Sequence, residues 1–284
     1  LDHVVADRLR RPGGRGGAAV AGQYGVDDAL AVERITECLT HPPIGKRRHT
    51  GVEADRVVVV AAAAGQQDLE GRIRLQAAGI QGNTLIDVDE TALEREVARL
   101  EGGGLEVRGA VADVTDHAAL DRVIDEAAGV HGRLDVAFAN AGIDSGVGFV
   151  SGWAGSERPR VEEGALERYT DERWSRVIDV NLNGIFATAR AAARHMRPRG
   201  YGRIVVTTSL AATKVEPVIG SAYMAAKAGA RHLVRCLALE LAADGITANA
   251  IAPGFFVTNI GGGHAHDPDL QAMVAKDVPM HRVG

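Results

Sequence analysis

The chain has 284 residues, 46% of them apolar, and a net charge of −5 at neutral pH. That acidic balance argues against nucleic acid or an anionic membrane as partner, and no apolar run reaches the ~18 residues a membrane span needs. Cys38 and Cys236 fit neither a metal nor a disulfide spacing and read as reduced thiols of a cytoplasmic protein.

Residues 1–54 form an N-terminal extension that differs in character from the rest. They hold a Gly/Arg-rich stretch (RLRRPGGRGGAAVAG, 8–22) whose apolar part is too short and glycine-rich for a secretory signal. An amphipathic pattern in DDALAVERITECL and a Pro-Pro loop at 42–43 follow, and the basic KRRH (46–49) reads as a solvated loop. No motif falls here, and an appended segment of weak order is expected. The chain starts at Leu rather than Met, which suggests a fragment or a trimmed product.

From Arg56 onward short β-branched runs alternate with helical periodicity. RVVVVA (56–61) predicts a strand, followed by Leu69, Ile73 and Ala77 at helical spacing. NTLID (83–87) predicts a second strand, and TALEREVARLEG (91–102) a helix with Thr91 as N-cap. LEVRGAVAD (105–113), HAALDRVIDEAAG (117–129) and RLDVAFAN (133–140) continue as strand, helix and strand. A long helix is expected over 171–198, a strand over RIVVTTS (203–209), a helix over 221–243 and a strand over ITANAIAPG (246–254). This alternation predicts an α/β fold over residues 55–284: a Rossmann-like, doubly wound parallel sheet in three α/β/α layers. Ligands of such sheets lie beyond the carboxyl ends of the strands.

Chemistry concentrates at that edge. In SAYMAAKAG (221–229), Tyr223 and Lys227 stand four apart on one helix face. A phenol with its ordinary pKa of about 10 is a poor acid–base catalyst at neutral pH, and a nearby ammonium is expected to lower it. Y-x-x-x-K alone is a weak signal. Ser209 closes a predicted strand, Asn181 lies in VNLNGIF on the preceding helix, and NAG (140–142), Asp113, Asp87 and PGFFVT (253–258) follow other strands.

Taken together, N-A-G, the Asn of VNLNG, Ser209, Y-M-A-A-K and N-A-I-A-P-G-F-F-V-T resemble the short-chain dehydrogenase/reductase family of the standard type, from about residue 56 to the end. The resemblance implies an oxidoreductase interconverting a secondary alcohol and a ketone by hydride transfer. In it Tyr223 is the general acid/base, Lys227 lowers its pKa and binds the nicotinamide ribose, and Ser209 polarises the substrate oxygen. Asn181 fixes a helix position and a proton-relaying water. A carbonyl that accepts hydride builds charge on oxygen, which calls for a stabilising donor and a proton.

For the cofactor the resemblance assigns Asp113 and Val114 to adenine, Asn140 to the adenosine ribose side, and Phe256 and Thr258 to the nicotinamide carboxamide. Ala141, Gly142, Pro253 and Gly254 are counted among the cofactor-binding residues. Asp87 is placed to bind both ribose hydroxyls and repel a 2′-phosphate, which favours NAD over NADP. The family's T-G-x-x-x-G-x-G loop is expected at 61–68, where this chain reads AAAAGQQD, with Ala62, Gly65 and Gln67 at cofactor-contacting positions. Ala62 for glycine and Asp68 near the pyrophosphate predict a penalty of about a few kcal/mol.

The stretch 144–172 is longer than usual and is expected to wall the substrate site. HAHDPD (264–269) reads as part of a substrate lid rather than a metal site. The chain stops where the family continues with another helix and a last strand. The expected partners are a small alcohol or ketone and a second copy of the chain, as homodimer or homotetramer. The rival expectation is a non-catalytic relative with weak or no cofactor binding.

Overall fold

A computed structural model describes residues 56–61, 80–151, 158–260 and 262–284. Among these, six strands form one parallel sheet: β1 (Arg56–Ala61), β2 (Ile80–Asp87), β3 (Val107–Val111), β4 (Val136–Ala139), β5 (Gly202–Thr207) and β6 (Ile246–Ile251). Their order is β3-β2-β1-β4-β5-β6. β1 pairs with β2 on one side and β4 on the other. The winding reverses there, which opens a crevice at the carboxyl ends of the two central strands.

Successive strand residues serve two separate cores, as the period of 2 requires. Leu85, Val136, Phe138 and Val205 pack with Leu93, Val97 and Leu100 of helix α1 (Glu90–Gly102). Ile86, Ala137, Ala139, Ile204 and Val206 face the other layer. There they meet helix α2 (His117–His131), α4 (Gly184–Met196) and α5 (Ser221–Glu240) through residues such as Leu120, Ile185 and Ala230. The sheet is thus sandwiched, as expected from the sequence.

Three local expectations need correction. Asp89, not Thr91, caps α1, accepting from the Ala92 N–H at 2.9 Å, because Glu90 is already helical. The helix expected over 171–198 is two helices, α3 (Asp171–Ile178) and α4, joined by a π turn at Asp179–Asn183 and ended by a 3₁₀ turn. The side chain of Asn181 enters the helix's own hydrogen-bond ladder, its Nδ2 donating to Val177 O at 3.1 Å. Strands β3, β5 and β6 also end two or three residues earlier than expected, because the chain leaves the sheet there to form the edge described below. A short helix, α6 (Pro268–Ala275), follows β6. Residues 1–54, the helical pattern of Leu69, Ile73 and Ala77, and the loop positions Ala62, Gly65, Gln67 and Asp68 lie outside the described residues.

The opposite edge of the sheet is closed by charge. Asp135, with 0% of its surface exposed, binds Arg133 at 2.7 Å and Arg199 at 3.1 Å. Removing one member of a buried ionic group strands the others without compensation. Asp135→Ala is therefore expected to lower unfolding stability by about 3 kcal/mol or more, measured by urea denaturation. Ligand binding at the far edge of the folded fraction stays unchanged.

Candidate active site

Asn181 is fully buried and its amide is committed on both sides. Oδ1 accepts from Ile143 N at 3.2 Å, while Nδ2 donates to Ile143 O at 3.0 Å and to Val177 O. One side chain thus ties the π turn to the loop that follows β4. Both Nδ2 protons reach main-chain carbonyls, so the geometry makes Asn181 a brace. Its expected hold on a water is left only a lone pair of Oδ1. Within the same loop Gly142 permits a close approach: a Cβ there would lie 2.8 Å from Asn181 Oδ1 and 3.3 Å from Lys227 Nζ.

Lys227, 2% exposed on α5, donates from Nζ to Thr207 O at 2.9 Å. The Thr207 hydroxyl in turn donates to Asn140 Oδ1 at 2.7 Å. Thr207 was not singled out from the sequence; its only signal is a polar residue closing an apolar strand. Among the described residues no carboxylate pairs with Lys227, and burial pushes its pKa down to about 8.

Tyr223 lies one helical turn before Lys227, and its side chain hydrogen-bonds Ser209. Ser209 Oγ also accepts from Ala211 N at 3.1 Å, capping the turn Leu210–Ala212. Burial raises the phenol above its ordinary value of 10.0; the Ser209 hydrogen bond opposes this and the charge of Asp144 adds to it. The expected lowering by Lys227 does not occur in this arrangement. Its ammonium lies 5.6 Å from the Tyr223 ring centroid and is engaged by the Thr207 carbonyl, so desolvation dominates both groups.

The remaining sequence candidates line the same edge. Asp87 ends β2 and is largely buried; its Oδ1 accepts from Asp89 N at 3.0 Å. Burial raises its pKa more than the N–H groups of Asp89 and Val88 lower it. Asp113 is exposed and holds Thr115 through its N–H and hydroxyl, both at 2.8 Å. Val114 and Ala141 point into the core, Val114 against Gly184, so only their backbones can meet a ligand. Pro253 O accepts from Leu210 N at 3.0 Å, which places 253–258 beside Ser209. Gly254 and Phe256 are exposed and Thr258 half-buried. His266 of HAHDPD meets Asn259 Oδ1 at 2.9 Å; no metal-holding group of His, Cys, Asp and Glu gathers among the described residues.

The described parts of 144–172 pack against the segment that leads into Tyr223. Gly148 N donates to Val218 O at 3.0 Å and Val161 N to Phe149 O at 3.1 Å, stacking 158–161 and 147–150 on the segment that leads into Tyr223.

Residues 74–284 match the family model described as enoyl-(acyl carrier protein) reductase. The chain is 34% identical over 204 residues to the (5R,7aS)-5-hydroxy-7a-methyl-1-oxo-2,3,5,6,7,7a-hexahydro-1H-indene-carboxyl-CoA reductase of Mycobacterium tuberculosis, covering 72% of this chain and 71% of that protein. Among solved structures, an NAD+-bound xylitol dehydrogenase is similar with a TM-score of 0.67 and 28% identity, covering 82% of this chain and 88% of the other. A gluconate 5-dehydrogenase from Burkholderia cenocepacia J2315, in complex with NADP and tartrate, gives 0.64 and 28%, covering 81% and 84%. The chain belongs to the short-chain dehydrogenase/reductase family of oxidoreductases, whose members bind NAD or NADP.

The described residues fit a dinucleotide of that kind. Among the described residues, a buried carboxylate with no cation partner stands at the β2 end, and a buried cation with no carboxylate partner stands beside Tyr223. The folded-state pKa of Lys227, about 8, lies below the ordinary 10.5. The folded chain therefore releases this proton first, and the cost of burying the ammonium is complete below pH 8 and fades as pH rises toward about 10.5. Lys227→Met is expected to be more stable than the parent at pH 7 by at most about 3 kcal/mol, with the gap closing toward pH 10. Urea unfolding at the two pH values checks this.

Proposed function

We propose that this chain interconverts a secondary alcohol and a ketone by hydride transfer with NAD, which it prefers to NADP. The observation that carries this reading is the hydrogen-bonded Ser209–Tyr223 pair set over buried Lys227 at the carboxyl edge of the sheet. A nicotinamide dinucleotide supplies or accepts the hydride when bound. Ser209 and Tyr223 act as paired donors to the substrate oxygen, where negative charge develops on reduction. The raised pKa of Tyr223 keeps the phenol protonated at neutral pH, so it stands as a general acid ready for the reductive direction. Lys227, fixed by Thr207, presents a cation beneath the phenol and toward a ribose hydroxyl. Asn181 holds the loop after β4 in place.

Asp87 supports the preference for NAD: a buried carboxylate accepts from vicinal ribose hydroxyls and repels a 2′-phosphate. The dinucleotide-binding unit is taken as residues 55–284, acting in the cytoplasm as a homodimer or homotetramer. Asp113, Asn140, Gly142 and 253–258 complete the cofactor cleft in this reading. The sequence AAAAGQQD at 61–68 favours a second reading, a relative that keeps the fold and binds cofactor weakly.

Titration with NADH, followed by nicotinamide fluorescence, separates the two. Saturation at submillimolar NADH is expected, and no binding at millimolar concentration refutes the enzymatic reading. Tyr223→Phe is expected to reduce turnover at least ~100-fold with NADH affinity within about twofold, since general acid catalysis contributes on that scale. Full turnover in this variant removes Tyr223 from the chemistry. Asp87→Ala is expected to shift the NADPH-to-NADH affinity ratio upward by about tenfold, as loss of one charge repulsion implies. Parallel titrations of both cofactors measure it.

A further inference from the structure

Arg173 occupies the first turn of α3, where Thr170 Oγ1 accepts from its N–H at 3.2 Å. Its guanidinium has no carboxylate partner among the described residues and is committed to main-chain carbonyls. Nε and Nη2 donate to Ser145 O at 2.9 and 2.7 Å, Nη2 also to Val147 O at 3.0 Å, and Nη1 to Glu163 O at 2.9 Å. The Tyr169 ring lies 4.1 Å beneath the guanidinium carbon, and its hydroxyl donates to Ser145 O at 3.2 Å. Three donors thus converge on a single carbonyl, which fixes Ser145.

Ser145 is buried, and its Oγ donates to Gly220 O at 3.0 Å. Gly220 is the N-cap residue of α5, and the same carbonyl accepts from Tyr223 N at 3.1 Å. Only glycine permits this approach, since a Cβ at 220 would lie 2.5 Å from Ser145 Oγ and 2.6 Å from Tyr169 OH. A continuous set of hydrogen bonds therefore runs from the Arg173 guanidinium, through Ser145 and Gly220, to the backbone of Tyr223.

We propose that Arg173 is a positioning residue for the acid–base group, setting the first turn of α5 through Ser145 so that the Tyr223 hydroxyl stays on Ser209. This rests on the reading of Tyr223 as the acid–base residue. A planar fork meets three carbonyls at fixed angles, whereas a lysine ammonium at this position addresses them one at a time. Displacement of a reacting group by a fraction of an ångström costs rate with little effect on cofactor affinity.

Arg173→Ala and Ser145→Ala are each expected to lower kcat about 10- to 100-fold, with NADH affinity within about twofold of the parent. The double variant is expected to be no slower than the slower single, because both lesions cut one relay. Arg173→Lys recovers only part of the loss. A kcat within twofold of the parent in both single variants overturns the proposal, as do losses that multiply in the double variant or a matching loss of NADH affinity. Ser145→Ala removes a single oxygen and carries the test alone if Arg173→Ala does not fold. Should the parent show no turnover, the proposed function has failed, and amide hydrogen exchange over 220–224 decides the relay. Exchange about tenfold faster in the Arg173 or Ser145 variant supports it, and unchanged exchange overturns it.

Discussion

The buried amide of Asn181 is the interaction on which the site depends. A π turn leaves main-chain groups of a helix without their usual partners, and an unpaired buried polar group costs about 1 to 3 kcal/mol. Asn181 answers this by donating to Val177 O, and it then treats Ile143 as a neighbouring strand would, accepting from its N–H and donating to its carbonyl. The loop after β4 is consequently held at hydrogen-bond distance from the helix break. Gly142 brings that loop against Lys227, Lys227 reaches Thr207 O, and Thr207 closes back on Asn140. The ends of β4 and β5, the π turn with α3, and helix α5 are locked together by four side chains, without any ion pair among them.

The absence of an ion pair within that ring shapes the electrostatics. A buried lysine next to a carboxylate stays charged over the whole accessible range; Lys227, which among the described residues meets a carbonyl and an aromatic face, has its pKa pushed down to about 8. Its neighbour Tyr223 is pushed the opposite way by the same burial. Desolvation penalises phenolate and ammonium alike, so the resting pair is a neutral phenol beside a cation poised to lose its proton not far above neutrality. The charge of Asp144 reinforces the neutral phenol.

The sheet and its ligand edge were legible in the sequence because strand–helix alternation and period-2 burial are properties of local pattern, and Val136 to Ala139 or Ile204 to Val206 display them fully. Tyr223 and Lys227 were legible because a spacing of four on a helix fixes a shared face. The π turn was not: VIDVNLNGIF keeps a continuous helical periodicity, and the break arises from a side chain whose partner, Ile143, lies 38 residues away. The direction of the Tyr223 shift was equally hidden, since it turns on how deeply the pair is buried rather than on how near its members lie. The cap at Asp89 escaped notice because a strand ending at Asp87 leaves only one residue of turn, and the chain there offers two acceptable capping types within three positions.

Arg173 illustrates why the wall of the site is harder to read than its floor. The floor is made of side chains meeting side chains or catalytic main-chain edges, and those residue types leave a pattern. The wall is made of backbone stacked on backbone, 158–161 on 147–150 on 217–219, and it is fastened by a side chain whose partners are carbonyls that every residue possesses. Such a wall constrains identities mainly where backbones close in: beside Arg173 and the Ser145 hydroxyl, glycine is needed at 148, 164 and 220, where an added Cβ would collide with Pro217 O, Gly148 O and Ser145 Oγ.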